Sequence, residues 1–457
     1  GSEMCIRDRS VQAAEADVNI YVAEMRFFRA LEYFNKIQLL GDVPWLEVDL
    51  NVDSEELYGP KMKRNQVFQK IIEDLDFAIQ WLPEAGSEEA NRLNKDIARH
   101  VKARFCLNEG THYKYHDELE YASEAEKWLQ MAATESDKLI TSGRYEIYNT
   151  GHPQEDYFNM YRIDDKSDLK EAVLYVDYKT NIREHNMAAA GREAGCGFSK
   201  SFVESFLCSD GLPISLSNKY LGDETMRKET ANRDPRLKQL ILTNDFPTNV
   251  TDDLKDSTFV VNEDEFITQH CFTGYRPIKG FNPIYSQALY MKSSFDGIAY
   301  RYAETLLINA EAKAELNTIT DADLDRTINQ LRDRVGMPHL TVNVGFTDPK
   351  WPDWGYSLSP ILQEIRRERC IELAGEGFRF NDLKRWKAGK VLNNVLTYVG
   401  KRKPDGNLAI VYPNYTNPDL SYQAGKSRTW EDKMYLYPIP TGELQRNPQL
   451  LPQNPGW

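Results

Sequence analysis

The chain has 457 residues and carries 56 Lys and Arg against 70 Asp and Glu, a formal net charge of −14. That balance argues against a nucleic acid or an anionic membrane surface as partner. Mean hydropathy is −0.60, and no run approaches the roughly 18 apolar residues of a membrane span.

Residues 1–10 read as a foreign leader: Glu3 to Ser10 holds no apolar stretch of the signal-peptide kind. Residues 11–145 are a helical segment. Ala13 to Leu40 forms one long helix, with Tyr21, Met25, Phe28, Leu31 or Glu32, and Asn35 to Leu39 on its mostly apolar face, ended by Gly41-Asp42-Val43-Pro44. Asn65 to Leu82 is the second, with Val67, Ile71, Leu75 and Ile79 four apart and Pro83 behind it. Asn94 to Glu109 and Tyr121 to Ile140 are the third and fourth. Four helices on modest loops are the composition of stacked helical hairpins.

Residues 146–297 change character. Gly, Asn, Asp and Pro are frequent, and apolar runs are short, as in Ala172 to Val176 and Phe259 to Val261. We read irregular structure with a few short strands, too aromatic for disorder. Residues 298–390 return to helix: Ile298 to Leu316, Leu324 to Val335, and a final pair over Leu358 to Gly389. Residues 391–457 are an aperiodic coil rich in Pro and Asn.

The most informative stretch is Ser357 to Lys390. Leu358, Ile361, Leu362 and Ile365 trace an apolar stripe. Ser359-Pro360 supplies a cap and a Pro at the first helical position. Gly375 and Gly377 interrupt the helix before a second one. Glu364, Glu368, Glu372 and Glu376 recur every four residues and share a face, an arrangement that needs cationic partners. The row is either acid/base or metal machinery, or a ladder of Arg–Glu pairs. Arg366, Arg367, Arg369, Arg379 and Arg385 interleave it and no His accompanies it, so we read the ladder.

Other chemistry is sparse. The six cysteines form no C-x-x-C pair, against a zinc ribbon or redox motif; Cys196 and Cys208 could bridge. No phosphate-binding loop or nucleophile elbow occurs. His112 and His116 have metal-ligand spacing, but Tyr113 stands where a metalloprotease needs Glu, and we read a solvated pair in a loop. Asp321, Asp323 and Asp325 imitate the start of a calcium loop, but Arg326 and Arg332 occupy its Gly and Glu positions. A helix N-terminus is the better reading. We assign no catalytic residue, cofactor or metal.

The aromatic residues are more telling. Trp351, Trp354 and Tyr356 crowd one loop. Phe272, Tyr275, Phe281, Tyr285 and Tyr290 crowd another, with Arg276 and Asn282 between them. Exposed rings beside hydrogen-bonding side chains suit the faces and hydroxyl edges of sugars; each ring singly is better read as packing under a long loop, and at least one of them as a ligand platform. Tyr58 is a further candidate ligand contact, and Trp45 is read as buried.

IRRERCIELAGEGFRFNDLKRW (365–386) resembles a signature of the SusD/RagB family, outer-membrane nutrient-binding lipoproteins of Bacteroidetes. So do residues 19–45, NRDPRL (232–237), 301–317 and the closing 435–457, in the same order. The resemblance implies a mainly α fold of TPR-like hairpins with a large loop-rich subregion, one integrated domain, and a C-terminal tail wrapped over the body. It also implies a non-catalytic surface protein that captures an oligo- or polysaccharide for a SusC-like TonB-dependent transporter. Peptide is the alternative ligand, from the RagB branch; a glycan-active enzyme and a protein-binding scaffold are further alternatives. Membrane attachment would be through an N-terminal lipid that cannot be identified here: Cys5 has no lipobox before it.

Overall fold

The structure is a computed structural model that describes residues 15–87, 91–188, 197–244, 266–267, 271–410 and 429–457. The chain divides into two compact units. The first comprises residues up to Leu139 with Lys384–Gly389 and Trp430–Trp457; the second comprises Ile140–Leu383 and Lys390–Thr429.

Helices α1 (Glu15–Leu40), α2 (Arg64–Trp81), α3 (Lys95–Tyr115) and α4 (Ala122–Thr141) dominate the first unit. The stripe that α1 buries is Ala23, Phe27, Ala30, Phe34 and Ile37. Tyr21, Met25 and Phe28, the expected apolar face, are exposed. The helix is apolar on more than one side, and packing against α2 selects which side is buried. Phe34 stacks on Phe105 of α3 at 3.6 Å, and Phe68 of α2 meets Trp128 of α4 edge-on. Buried Arg64 is held by Glu109 through two bonds, at 2.9 and 2.5 Å. The tail folds onto the same helices: the Tyr437 amide donates to the Leu39 carbonyl, and the Asn454 amide to that of Leu40. Trp45 is half-buried, with its ring 4.1 Å from that of Tyr33.

His112 and His116 lie on α3 and at its end, not in a loop. Both are buried, with rings 4.0 Å apart. His116 bonds the Lys384 carbonyl and Glu118. Burial, with Arg64 nearby, holds His112 well below the usual histidine range.

In the second unit β1 (Ala172–Val176) pairs antiparallel with β2 (Gly297–Arg301), Ala172 opposite Arg301 and Val176 opposite Gly297. The expected helix from Ile298 therefore begins as strand, and α5 runs Tyr302–Glu315. The β-branched and aromatic run of Gly297–Arg301 pairs with β1 before the chain turns helical. Next come α6 (Asp321–Asp325) and α7 (Ile328–Arg334). Thr320 and Asp323 form a capping box at the start of α6, so the three aspartates mark a helix N-terminus. Helix α8 (Pro360–Glu372) has Ser359 as its cap, accepting from the Leu362 amide, and Pro360 at its start. Gly375 and Gly377 have positive φ, +76° and +84°, in the turn before α9 (Arg379–Arg385). Strands β3 (Val399–Arg402) and β4 (Leu408–Ile410) form a second two-stranded sheet. One core joins Tyr157, Phe206, Leu240, Tyr275, Phe281, Phe295 and Ile371. The expected strand at Phe259–Val261 and Cys196 of the possible bridge lie outside the described residues; Cys208 is buried.

The glutamate row of α8 is a paired network, but its partners differ from those expected. Glu372 is fully buried and accepts from Arg334 at 2.6 and 2.7 Å, Arg301 at 2.7 Å and Arg236 at 3.0 Å. Glu368 takes Arg236 and Arg332; Glu376 takes Arg301 and Lys279. Glu364 pairs with an interleaved arginine, Arg367. Arg366 and Arg369 point away, to Glu315 and Asp382. On a helix, residues one or two positions apart do not face each other, so the carboxylate face meets other segments and the arginines beside it meet others again.

Candidate functional site

In the second unit, two loop segments bind each other and form a ledge. His185 and Ser293 exchange backbone bonds at 2.8 and 3.1 Å. The Met291 amide donates to Asn186 Oδ1 at 3.0 Å, and Thr180 Oγ1 to Ser294 Oγ at 3.1 Å. Gln287 braces the turn, donating to Ser294 Oγ and accepting from the Ser294 amide and the Ser293 hydroxyl. Beneath, Phe295 is buried and meets the His185 ring edge-on at 4.6 Å. Burial lowers the His185 pKa, so the ring is neutral at neutral pH.

This rigid backbone holds apolar side chains out in solvent. Tyr285 is 57% exposed and Tyr290 72%, and Ile182, Met187, Leu289 and Met291 are exposed with them. Met291 has φ +55°, a left-handed conformation that costs a non-glycine residue roughly 1–3 kcal/mol. A cluster of exposed apolar groups on braced backbone is an arrangement that interaction surfaces take.

The remaining candidates are placed differently. Tyr275 is a core ring with no exposure, its hydroxyl 2.8 and 2.9 Å from the Glu229 carboxylate oxygens and 3.3 Å from Lys200 Nζ. It presents no face to a ligand, because its ring completes the core beside Phe206 and Phe281. Asn282 is buried and accepts from the Ile284 amide. Phe272 and Arg276 are half-buried. The tryptophan loop packs onto α8: Trp351 Nε1 donates to Glu364 at 2.7 Å, and Trp354, 5% exposed, donates to Gln363 at 2.6 Å. The Arg366 guanidinium lies 5.0 Å from the Trp354 ring and donates to the Tyr356 hydroxyl. These rings are a satellite core, with Trp351 and Tyr356 half-buried. Tyr58, in the first unit, is 49% exposed beside exposed Leu57.

Of the exposed apolar residues on this ledge, sequence reasoning named Tyr285 and Tyr290 and did not name Ile182, Met187, Leu289 and Met291. None sits in a periodic pattern. The only signal was a set of large apolar residues inside a stretch rich in polar turn residues.

The family model described as the SusD family matches residues 139–457. The chain belongs to the SusD family. This SusD-family chain is 24% identical over 456 residues to SusD-like protein P2 of Formosa agariphila, covering 97% of itself and 75% of that protein. A SusD-like protein of Bacteroides fragilis superposes with TM-score 0.73 at 23% identity, over 100% of this chain and 83% of the other. A SusD-like carbohydrate-binding protein of the same species gives 0.70 at 22%, over 98% and 83%. A structure determined with a xylogluco-oligosaccharide gives 0.65 at 18%, over 98% and 83%. The fold, mainly helical with two small sheets among the described residues, is the fold of this family.

Proposed function

We propose that this SusD-family protein is a non-catalytic glycan-binding protein. It takes up an oligo- or polysaccharide on the Tyr285–Tyr290 ledge and passes it to a SusC-like TonB-dependent transporter at the outer-membrane surface. The observation that carries the reading is the pair of rings at 57% and 72% exposure on a braced turn. Aromatic faces of this kind stack on the apolar faces of sugar rings. Relatives described as carbohydrate-binding, or determined with an oligosaccharide, support the same ligand class. Tyr58, in the first unit, is proposed as a ligand contact of that unit by itself. Among the described residues no group of three or more His, Cys, Asp and Glu is placed to hold a metal ion, and no helix is long and apolar enough to cross a membrane.

The test is calorimetry against a polysaccharide panel with the parent and with Tyr285→Ala/Tyr290→Ala. Saturable binding that the double variant weakens tenfold or more supports the reading. Equal binding by both proteins rejects the ledge as the site. Co-purification with a TonB-dependent transporter tests the delivery step.

A further inference from the structure

A second concavity lies in the second unit and shares no residue with the ledge. It is a cleft of about 520 Å³, within the range of small-molecule sites. One wall is the segment after α4, which contributes Tyr145, Glu146 and Asn149. The other is the α6–α7 region, which contributes Arg326, Gln330 and Asp333. Gln330 and Asp333 are three apart and share a face of α7, and Arg326 stands in the turn that joins α6 to it. The floor is aromatic. Tyr302 is buried, and the half-buried Tyr145 ring stacks on it with centroids 6.0 Å apart.

The polar groups define the ligand. Both carboxylates already have cationic or imidazole partners: Glu146 pairs with Lys170 at 3.1 Å, and Asp333 with His339 at 2.7 Å. Gln330 donates its amide N–H to the Arg326 carbonyl at 2.9 Å, which fixes the side chain's plane. Asn149 is likewise held, accepting from the Gly151 amide. Burial pushes the Tyr302 hydroxyl up to about 12, with Arg326 nearby opposing the rise, so the phenol stays a neutral donor and acceptor. The cleft therefore offers a tyrosine floor under a rim of amides, a guanidinium and two carboxylates, each bonded to a neighbouring side chain. It has no surplus of positive charge for an anion, and too many polar groups for a lipid or an apolar peptide side chain. A neutral polyhydroxyl ligand satisfies both parts, stacking on the floor and bonding at the rim.

We propose that this cleft is a second saccharide site, sized for a short neutral oligosaccharide and independent of the ledge. A polymer-binding protein with two such sites would hold one chain at two points, raising avidity without a new contact at either. The proposal concerns the cleft's own residues and stands or falls separately from the ledge.

The experiment uses the full chain carrying Tyr285→Ala/Tyr290→Ala, so that the ledge is silent. Calorimetry is run with maltose, cellobiose, lactose and xylobiose, and with a sulfated disaccharide as the anionic control. Saturable binding of at least one neutral disaccharide is expected, weakened about tenfold or more by Tyr145→Ala. Because Tyr145 packs on Tyr302, the rim variants Gln330→Ala and Asn149→Ala, which support no core, are measured alongside and should weaken it several-fold. No neutral binding, binding of the sulfated sugar alone, or binding unchanged in Gln330→Ala and Asn149→Ala overturns the proposal. Failure of the ledge leaves disaccharide binding intact in this background, whereas failure of the cleft abolishes only that signal.

Discussion

Glu372→Ala tests the charge network most directly. Its carboxylate touches three guanidiniums, and those groups touch others. Arg301 and Arg334 also pair with Glu171, Arg301 with Glu376, and Arg236 with Asp234 and Glu368. Arg332 and Lys279 complete the cluster. Five carboxylates (Asp234, Glu171, Glu368, Glu372, Glu376) thus balance five cations (Arg236, Arg301, Arg332, Arg334, Lys279). Removing Glu372 leaves one uncompensated positive charge in a fully buried site. Breaking a buried pair from one side costs roughly 3–5 kcal/mol, and at about 2–4 °C per kcal/mol for a large domain the melting temperature should fall by about 10 °C. The three arginines hold the Glu372 carboxyl well below the usual carboxylate range against the burial that opposes them. A depressed folded pKa means stability that is present above the unfolded value near 4.5 and is lost as pH falls through the folded one. The gap between parent and variant should therefore narrow on acidification below about pH 4.5. Glu171, which burial raises, acts in the opposite sense and softens the transition. Differential scanning calorimetry at pH 7 and 3 reads both effects, and the variant that remains folded should bind ligand like the parent. An unchanged melting temperature, or lost binding in a fully stable variant, would refute the structural role.

Tyr290→Ala should weaken glycan binding by roughly tenfold to a hundredfold, the loss of one stacked ring. Its melting temperature should stay within about 2 °C of the parent's, since the ring is exposed. Binding titrated between low and high salt should not change, because a neutral sugar carries no charge to screen. Tyr275→Phe, by contrast, should destabilise by about 1–3 kcal/mol by taking a hydroxyl from the buried Glu229–Lys200 pair; urea unfolding measures it. Lys166 is buried, bonded to the Tyr161 and Ile163 carbonyls, and burial lowers it to about 8. The unfolded chain binds that proton more tightly, so this residue makes stability rise between pH 8 and about 10.5, and Lys166→Met should flatten that rise in a pH series. His112, held low by burial, makes the first unit lose stability as pH falls below about 6.5, and His112→Gln should reduce that loss in thermal melts.

Much of the fold was legible without coordinates because it is local. The Ser359-Pro360 start of α8, its apolar stripe, the two glycines after it, and the α1–α4 succession follow from spacing and capping chemistry that neighbours in sequence decide. The order of five stretches along the chain carried the family. Tertiary packing decided the rest. Tyr21, Met25 and Phe28 looked like a core face, but α2 meets another side of α1. The four glutamates demanded cations, yet which arginines answered depended on Arg236, Arg301 and Arg334, at least 38 residues away in sequence. Tyr275 and Tyr290 are fifteen positions apart in one aromatic stretch; one completes a core and the other stands in solvent. A ring's identity says only that it will stack. Whether it stacks on protein or on a ligand is set by which distant segments, here 185–187 and 293–295 beneath the ledge or Glu229 and Lys200 around Tyr275, fold against it.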